Sequence, residues 1–118
     1  MWKSLGQITI TTSGTPVRMT SNETDANLRV ACQTIFVQQT ASNTGSLYFC
    51  ASATADISTG SGVLAIIPAP TLNSSSVAIS LPCAVVTVPD APAALNAANY
   101  YLDADEDGDI ALVSVVAR

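Results

Sequence analysis

No histidine occurs anywhere in this 118-residue chain. That absence removes the commonest general base and metal ligand of proteins, and with it every Ser–His–Asp or Cys–His arrangement. No run approaches the roughly 20 apolar residues a membrane helix needs, and the opening "MWKSLGQITITT" lacks the apolar segment of a secretory signal. The glycine-bearing stretch "STGSG" (58–62) has no lysine after it, so it is not a Walker-type phosphate loop. Charge is scarce as well, at 11% of residues against a usual share near 25%. Four Lys and Arg face nine Asp and Glu, a net charge of −5. No basic stripe exists to neutralise phosphates. The expectation is a protein with no catalytic residues, no nucleic-acid partner and no membrane partner.

Cysteine is also sparse. Cys32, Cys50 and Cys83 form no CxxC pair, and their odd number and wide spacing do not suit a secreted disulfide framework. All three lie in or beside apolar stretches, which predicts buried free thiols in a reducing compartment. Synthesis and assembly in the cytoplasm follow as the expectation. The sequons at Asn22-Glu23-Thr24 and Asn73-Ser74-Ser75 then carry no weight.

What the chain does have is apolar residues, 48% of the total, set against Ser, Thr, Asn and Gln. They recur with period two, as in strands with one buried face. In "GQITITT" Ile8 and Ile10 oppose Thr9 and Thr11, and "SGTP" (13–16) turns the chain into "VRMT". "VACQTIFVQQT" (30–40) is the longest early strand, with Ile35 and Val37 on one face and Val30, Cys32 and Phe36 on the other. The Asn- and Gly-bearing turn "ASNTGS" (41–46) and the following "LYFCA" predict a hairpin over residues 30–51. "VLAIIP" and "VAISL" (77–81) read as short strands. "PCAVVTVPDAPAALNAAN" breaks the pattern and predicts one helical turn after Asp90-Ala91-Pro92. "YYLDA" and "IALVSVVA" close the chain as strands. Roughly seven to nine short strands with turns between them predict one antiparallel β-sandwich over residues 1–118, jelly-roll or immunoglobulin-like.

"IALVSVVA" has too few polar positions for a strand with one wet face. Its second face needs another sheet or a neighbouring subunit.

The densest charge lies in "DADEDGDIALVS". Asp103, Asp105, Asp107 and Gly108 match the first half of an EF-hand loop, with Asp109 beside them. The twelfth position is Ser114 where a bidentate glutamate belongs, and strands flank the loop where helices should stand. An Asp-rich turn can still bind calcium outside an EF-hand, so Asp103, Asp105, Asp107 and Asp109 are the candidate ligands. The plainer reading is a mobile hairpin turn, with Gly108 at positive φ and the carboxylates in water. Trp2, Tyr48, Tyr100 and Tyr101 could stack on sugars, which would make a calcium-dependent carbohydrate-binding module. Aromatics spread over distant strands more often fill cores and interfaces.

Three segments together resemble small structural proteins of tailed-bacteriophage virions. "GQITITTSGTPVRMT" is similar to their opening strand, Gly-Thr-Pro turn and second strand. "IFVQQTASNTGSLYF" is similar to their central hairpin, and "ALNAANYYLDADEDGDIALVSVV" to their closing unit. Cys50 departs from the pattern, because glycine is common after the second strand of that hairpin. The resemblance implies a β-sandwich or jelly-roll module that decorates or cements the capsid, with a neck or tail adaptor or fibre as the other placement. It carries no catalytic motif. It implies a homotrimer docked on the major capsid protein, a location on the virion surface, and assembly in the host cytoplasm.

Overall fold

A computed structural model describes residues 2–24, 30–73, 75, 78–87 and 95–117. The period-two stretches become strands: β1 (Trp2–Ile10), β2 (Val17–Arg18), β3 (Ala31–Gln39), β4 (Leu47–Cys50), β5 (Val63–Ile67), β6 (Thr71–Leu72), β7 (Ala78–Ser80), β8 (Cys83–Thr87), β9 (Leu95–Asn96), β10 (Tyr101–Ala104) and β11 (Asp109–Ala117). The first sheet has the order β1-β11-β3-β8, with β9 also pairing β3, and the second has the order β2-β10-β4-β5. Within both sheets all pairs are antiparallel. Each step from β1 to β4 changes sheet, as does β10 to β11, while β4 to β5 turns back within one. This is the jelly-roll order, so of the two sandwich types expected it is the jelly roll that forms.

Alternation sets which side chains meet between the sheets. Leu5, Ile8 and Ile10 of β1, Ile35 and Val37 of β3, and Val113 and Val115 of β11 face Leu47, Phe49, Ile67 and Leu102 of the second sheet, all nearly or fully buried. Removing such side chains from water stabilises the fold by about 1.5–3 kcal/mol each. Phe49 also packs on Tyr100, ring centres 5.3 Å apart.

The structure corrects several expectations. Residues 30–51 are not a hairpin, because β3 lies in the first sheet and β4 in the second. The connection 40–46 crosses between sheets around Asn43, whose Nδ2 donates to Gln39 Oε1 and to the Ile110 carbonyl, each at 2.6 Å. Its Oδ1 accepts from the Ile110 N–H at 2.7 Å. Cys32 shares the core with Ile35 and Val37, because the register shifts where Thr34 pairs Val116 but Cys32 pairs Ala117. "CAVVT" is a strand, β8, which the surrounding prolines obscure; it lies at a sheet edge, where nearby proline is tolerated. The helical turn expected after Pro92 lies outside the described residues, as does Val77 of "VAISL". A single 3-10 turn does form at Ala97–Asn99, where the Asn96 side chain accepts from the Ala98 N–H. The three cysteines are free thiols, but Cys83 is exposed while Cys32 and Cys50 are buried.

Candidate functional site

The acidic turn is neither mobile by its bonding nor wholly in water. It also crosses between sheets and is no hairpin, since β10 and β11 lie in different ones. Asp103 and Asp109, at the ends of the flanking strands, are 0% and 5% exposed. Each carboxylate binds separate backbone donors, and together they tie three loops at one end of the sandwich. Asp109 Oδ1 accepts from the Thr44 N–H at 3.2 Å and Oδ2 from the Gly45 N–H at 3.0 Å. Asp103 Oδ1 accepts from Gly14 and Ala104, at 3.0 and 2.8 Å. Asp107 Oδ1 accepts from the Ser13 N–H at 2.7 Å, and Ser13 Oγ donates to the Ala104 carbonyl at 2.7 Å. Asp105 accepts from the Ser46 N–H and from the Tyr48 hydroxyl, the latter at 2.7 Å.

Two glycines make this closeness feasible. Gly108 has φ 85°, the left-handed turn expected, and its N–H donates to the Ile10 carbonyl at 2.8 Å. A Cβ on Gly45 would come within 2.9 Å of Glu106 Cγ and 3.0 Å of Asp105 Cβ, so the loop carrying it can lie against the acidic turn only without a side chain.

Among the described residues, no three Asp, Glu or Cys side chains are placed to hold a metal ion. The four aspartates point to four different sets of N–H donors, so the geometry assigns them to loop fastening. Asp103 Oδ2 is buried without a hydrogen-bond partner. Adding calcium is expected to leave the melting temperature unchanged in a thermal scan; a calcium-dependent rise would contradict that assignment.

Nor do the four aromatics converge. Trp2 pairs Val116 in the first sheet. Tyr48 pairs Asp103 and Tyr101 pairs Cys50 in the second, with the Arg18 guanidinium 4.9 Å above the Tyr101 ring. Tyr100 packs on Phe49 in the interior.

The electrostatics of this end raise two proton affinities. The hydrogen bond to Asp105, with burial and nearby carboxylate charge behind it, pushes Tyr48 up to about 12. Burial, then the Asp103 charge, pushes the Cys50 thiol up to about 11. Tyrosine ionises near 10 in an unfolded chain. The stabilising Tyr48–Asp105 bond is therefore fully present below about pH 10 and lost as pH climbs through about 12. A spectrophotometric tyrosine titration is expected to include a late-ionising phenol that Tyr48→Phe removes.

The second feature is a sheet face. Antiparallel partners share a side, so the outer face of the first sheet carries Trp2 beside Val116, Ser4 beside Ser114 and Phe36, and Gln7 beside Leu112 and Gln38. β8 adds Cys83, Val85 and Thr87. No charged residue occupies these ladder positions. This is the second face of "IALVSVVA", and no sheet among the described residues covers it. Leu5 is inserted between Ser4, opposite Ser114, and Gly6, opposite Val113. The bulge is held by Asn22 Nδ2, which donates to the carbonyls of Leu5 and Gln7. A hollow of about 260 Å³ lies here, lined by Ser4, Gly6, Phe36, Gln38, Leu112 and Ser114 among others.

A third feature is an uncharged run in the sequence. Residues 57–89 contain no Asp, Glu, Lys or Arg. They include two edge strands, β5 and β8, where Leu64 (56%), Ile66 (61%) and Val85 (55%) are exposed. Edge strands usually carry charge that repels other strands. Sequence reasoning missed both the uncharged run and the bulge hollow. The first is legible as a gap in the charge pattern; the second depends on a register shift with no sequence signature.

No protein family, no curated protein and no solved structure matches this chain.

Proposed function

We propose that this protein is a non-catalytic contact module of a tailed-bacteriophage virion, a decoration or cement protein that binds the outer surface of the major capsid protein shell. The observation that carries the contact reading is the uncharged surface: a whole sheet face and two edge strands present apolar, Ser, Thr and Gln side chains with no charge to repel a partner. The virion reading rests on the sequence resemblance of the three segments. The eight-stranded jelly roll is an architecture of viral capsid and lectin domains, which is support by analogy of fold.

Loops fastened by buried carboxylates suit such a role, because a rigid module loses little conformational freedom on docking. Many symmetric copies would let modest contacts accumulate into firm attachment. The homotrimer expected at local three-fold sites rests on the resemblance alone. A neck or tail adaptor would use the same surfaces. Copy number per particle separates the two placements, and a quantitative gel of purified virions measures it. Decoration predicts hundreds of copies; about a dozen or fewer, as in a single symmetric ring, would favour the neck or tail. Absence from virions would overturn both.

A further inference from the structure

Of the edge strands β1, β2, β5, β8 and β9, all but β8 are guarded against pairing with another chain. β1 carries Lys3 and is interrupted by the inserted Leu5. β2 and β9 are each two residues long. β5 is interrupted at Leu64, which lies between Val63, opposite Cys50, and Ala65, opposite Phe49. Charge, insertion and shortness are the features that keep an edge from pairing. β8 has none of them. Its Cys-Ala-Val-Val-Thr runs beside β3 in unbroken register, from Cys83 opposite Gln38 to Thr87 opposite Thr34. We propose that β8 takes up an extended segment of the shell protein as an added strand of the first sheet.

The hydrogen-bond phase leaves an open ladder on β8. In an antiparallel pair, opposed residues that exchange backbone bonds alternate with opposed residues that do not. The Gln39 N–H donates to the Pro82 carbonyl at 3.0 Å, which fixes that alternation. The backbones of Ala84 and Val86 therefore turn towards β3, and those of Cys83, Val85 and Thr87 turn away from it. Among the described residues no backbone group bonds these three from outside. Their N–H and C=O groups stand along about 13 Å of open edge at the rise of a strand.

Those groups fix what binds. Donors and acceptors at strand spacing are matched by another extended backbone, as in recognition by strand addition. The side chains fix its character. Val85 is exposed on the outer face, while Ala84 and Val86 are half-buried towards the core. No charge occurs in residues 57–89 to pair with one on a partner. The segment that fits is about five residues long, uncharged, and apolar on its inward side. A second copy does not supply it. The unguarded edge of a second copy is again β8, and β8 against β8 is a two-fold contact. The expected homotrimer is not built from two-fold contacts, so β8 is left to a different chain.

This deepens the proposed function and rests on it. The test uses empty shells assembled from a tailed-bacteriophage major capsid protein encoded in the same genome, with hydrogen exchange read by mass spectrometry. Bound protein is expected to exchange more slowly over 83–87 than free protein, because the amides of Cys83, Val85 and Thr87 gain partners. Val85→Pro removes an outward N–H and no bond to β3, a change edge strands tolerate. It is expected to weaken shell binding about tenfold or more. Val85→Thr keeps the N–H, replaces the apolar side chain, and is expected to stay within about threefold of the parent. Should Val85→Pro fail to fold, exchange in the parent protein decides alone. Shell binding with unchanged exchange over 83–87, or equal losses from the two variants, would overturn the inference and leave the proposed function standing. So would a dimer that Val85→Pro converts to monomer, since a second copy would then hold the edge. Absence of shell binding would overturn the proposed function and this inference together.

Discussion

Replacing Gln39 by leucine is expected to lower the unfolding free energy by about 4 kcal/mol, the larger of the two main effects. Gln39 is fully buried at the end of β3. Its Nε2 donates to the carbonyls of Gly45, Ile67 and Pro68 at 3.1, 3.0 and 3.0 Å. Its Oε1 accepts from Asn43 at 2.6 Å, and Asn43 in turn holds both backbone groups of Ile110. One amide thus joins the end of β5, the connection 40–46 and the start of β11. Leucine has similar bulk and no donor, so the carbonyls of buried Gly45 and Ile67 would lose this partner, each costing about 1–3 kcal/mol, while that of exposed Pro68 can turn to water. A domain with total stability of about 5–15 kcal/mol would be left marginal. Urea denaturation measures this as a fall in midpoint with unchanged slope. A loss under about 1 kcal/mol would mean that the carbonyls find other donors, and the network would not be what closes this end.

Asp109→Ala is expected to cost about 3 kcal/mol, because it strips the acceptor from two backbone N–H groups, Thr44 and Gly45. The contrast with Asp103 is the sharper test. Asp109 uses both carboxylate oxygens, whereas Asp103 engages only Oδ1 and leaves Oδ2 without a partner. Asparagine keeps one oxygen and gains an amide. Asp109→Asn should therefore lose about 2 kcal/mol, and Asp103→Asn stay within about 1 kcal/mol of the parent. Thermal unfolding of the three variants ranks them, and equal losses for the two asparagine variants would contradict the carboxylate-fastening account.

Strand positions are largely legible in the sequence, because burial on one face imposes period two: Ile8 and Ile10, or Val113 and Val115, mark the core side directly. Pairing is less so. The turn "ASNTGS" has the same chemistry whether the chain returns to the same sheet or crosses to the opposite one, and the choice is made by Asn43 meeting Ile110 far along the chain. Remote donors likewise hide the burial of the aspartates. Asp103 and Asp109 look solvated in the sequence because the N–H groups that satisfy them come largely from Gly14, Thr44 and Gly45, which nothing local connects to them. β8 is masked by the prolines around it. Of the candidate contact surfaces, the unsatisfied second face of β11 is legible from "IALVSVVA", since too many of its outward positions are apolar. Where along that face the hollow falls depends on the insertion of Leu5, which propensity does not encode.

The proposed tie between these surfaces and a capsid is tested most directly by adding the purified protein to empty expanded shells assembled from a tailed-bacteriophage major capsid protein encoded in the same genome, then measuring bound copies and shell melting. Saturable binding at hundreds of copies, with a higher shell melting temperature, is the expected result. Shells that sediment without the protein and melt unchanged at saturating concentrations would contradict it.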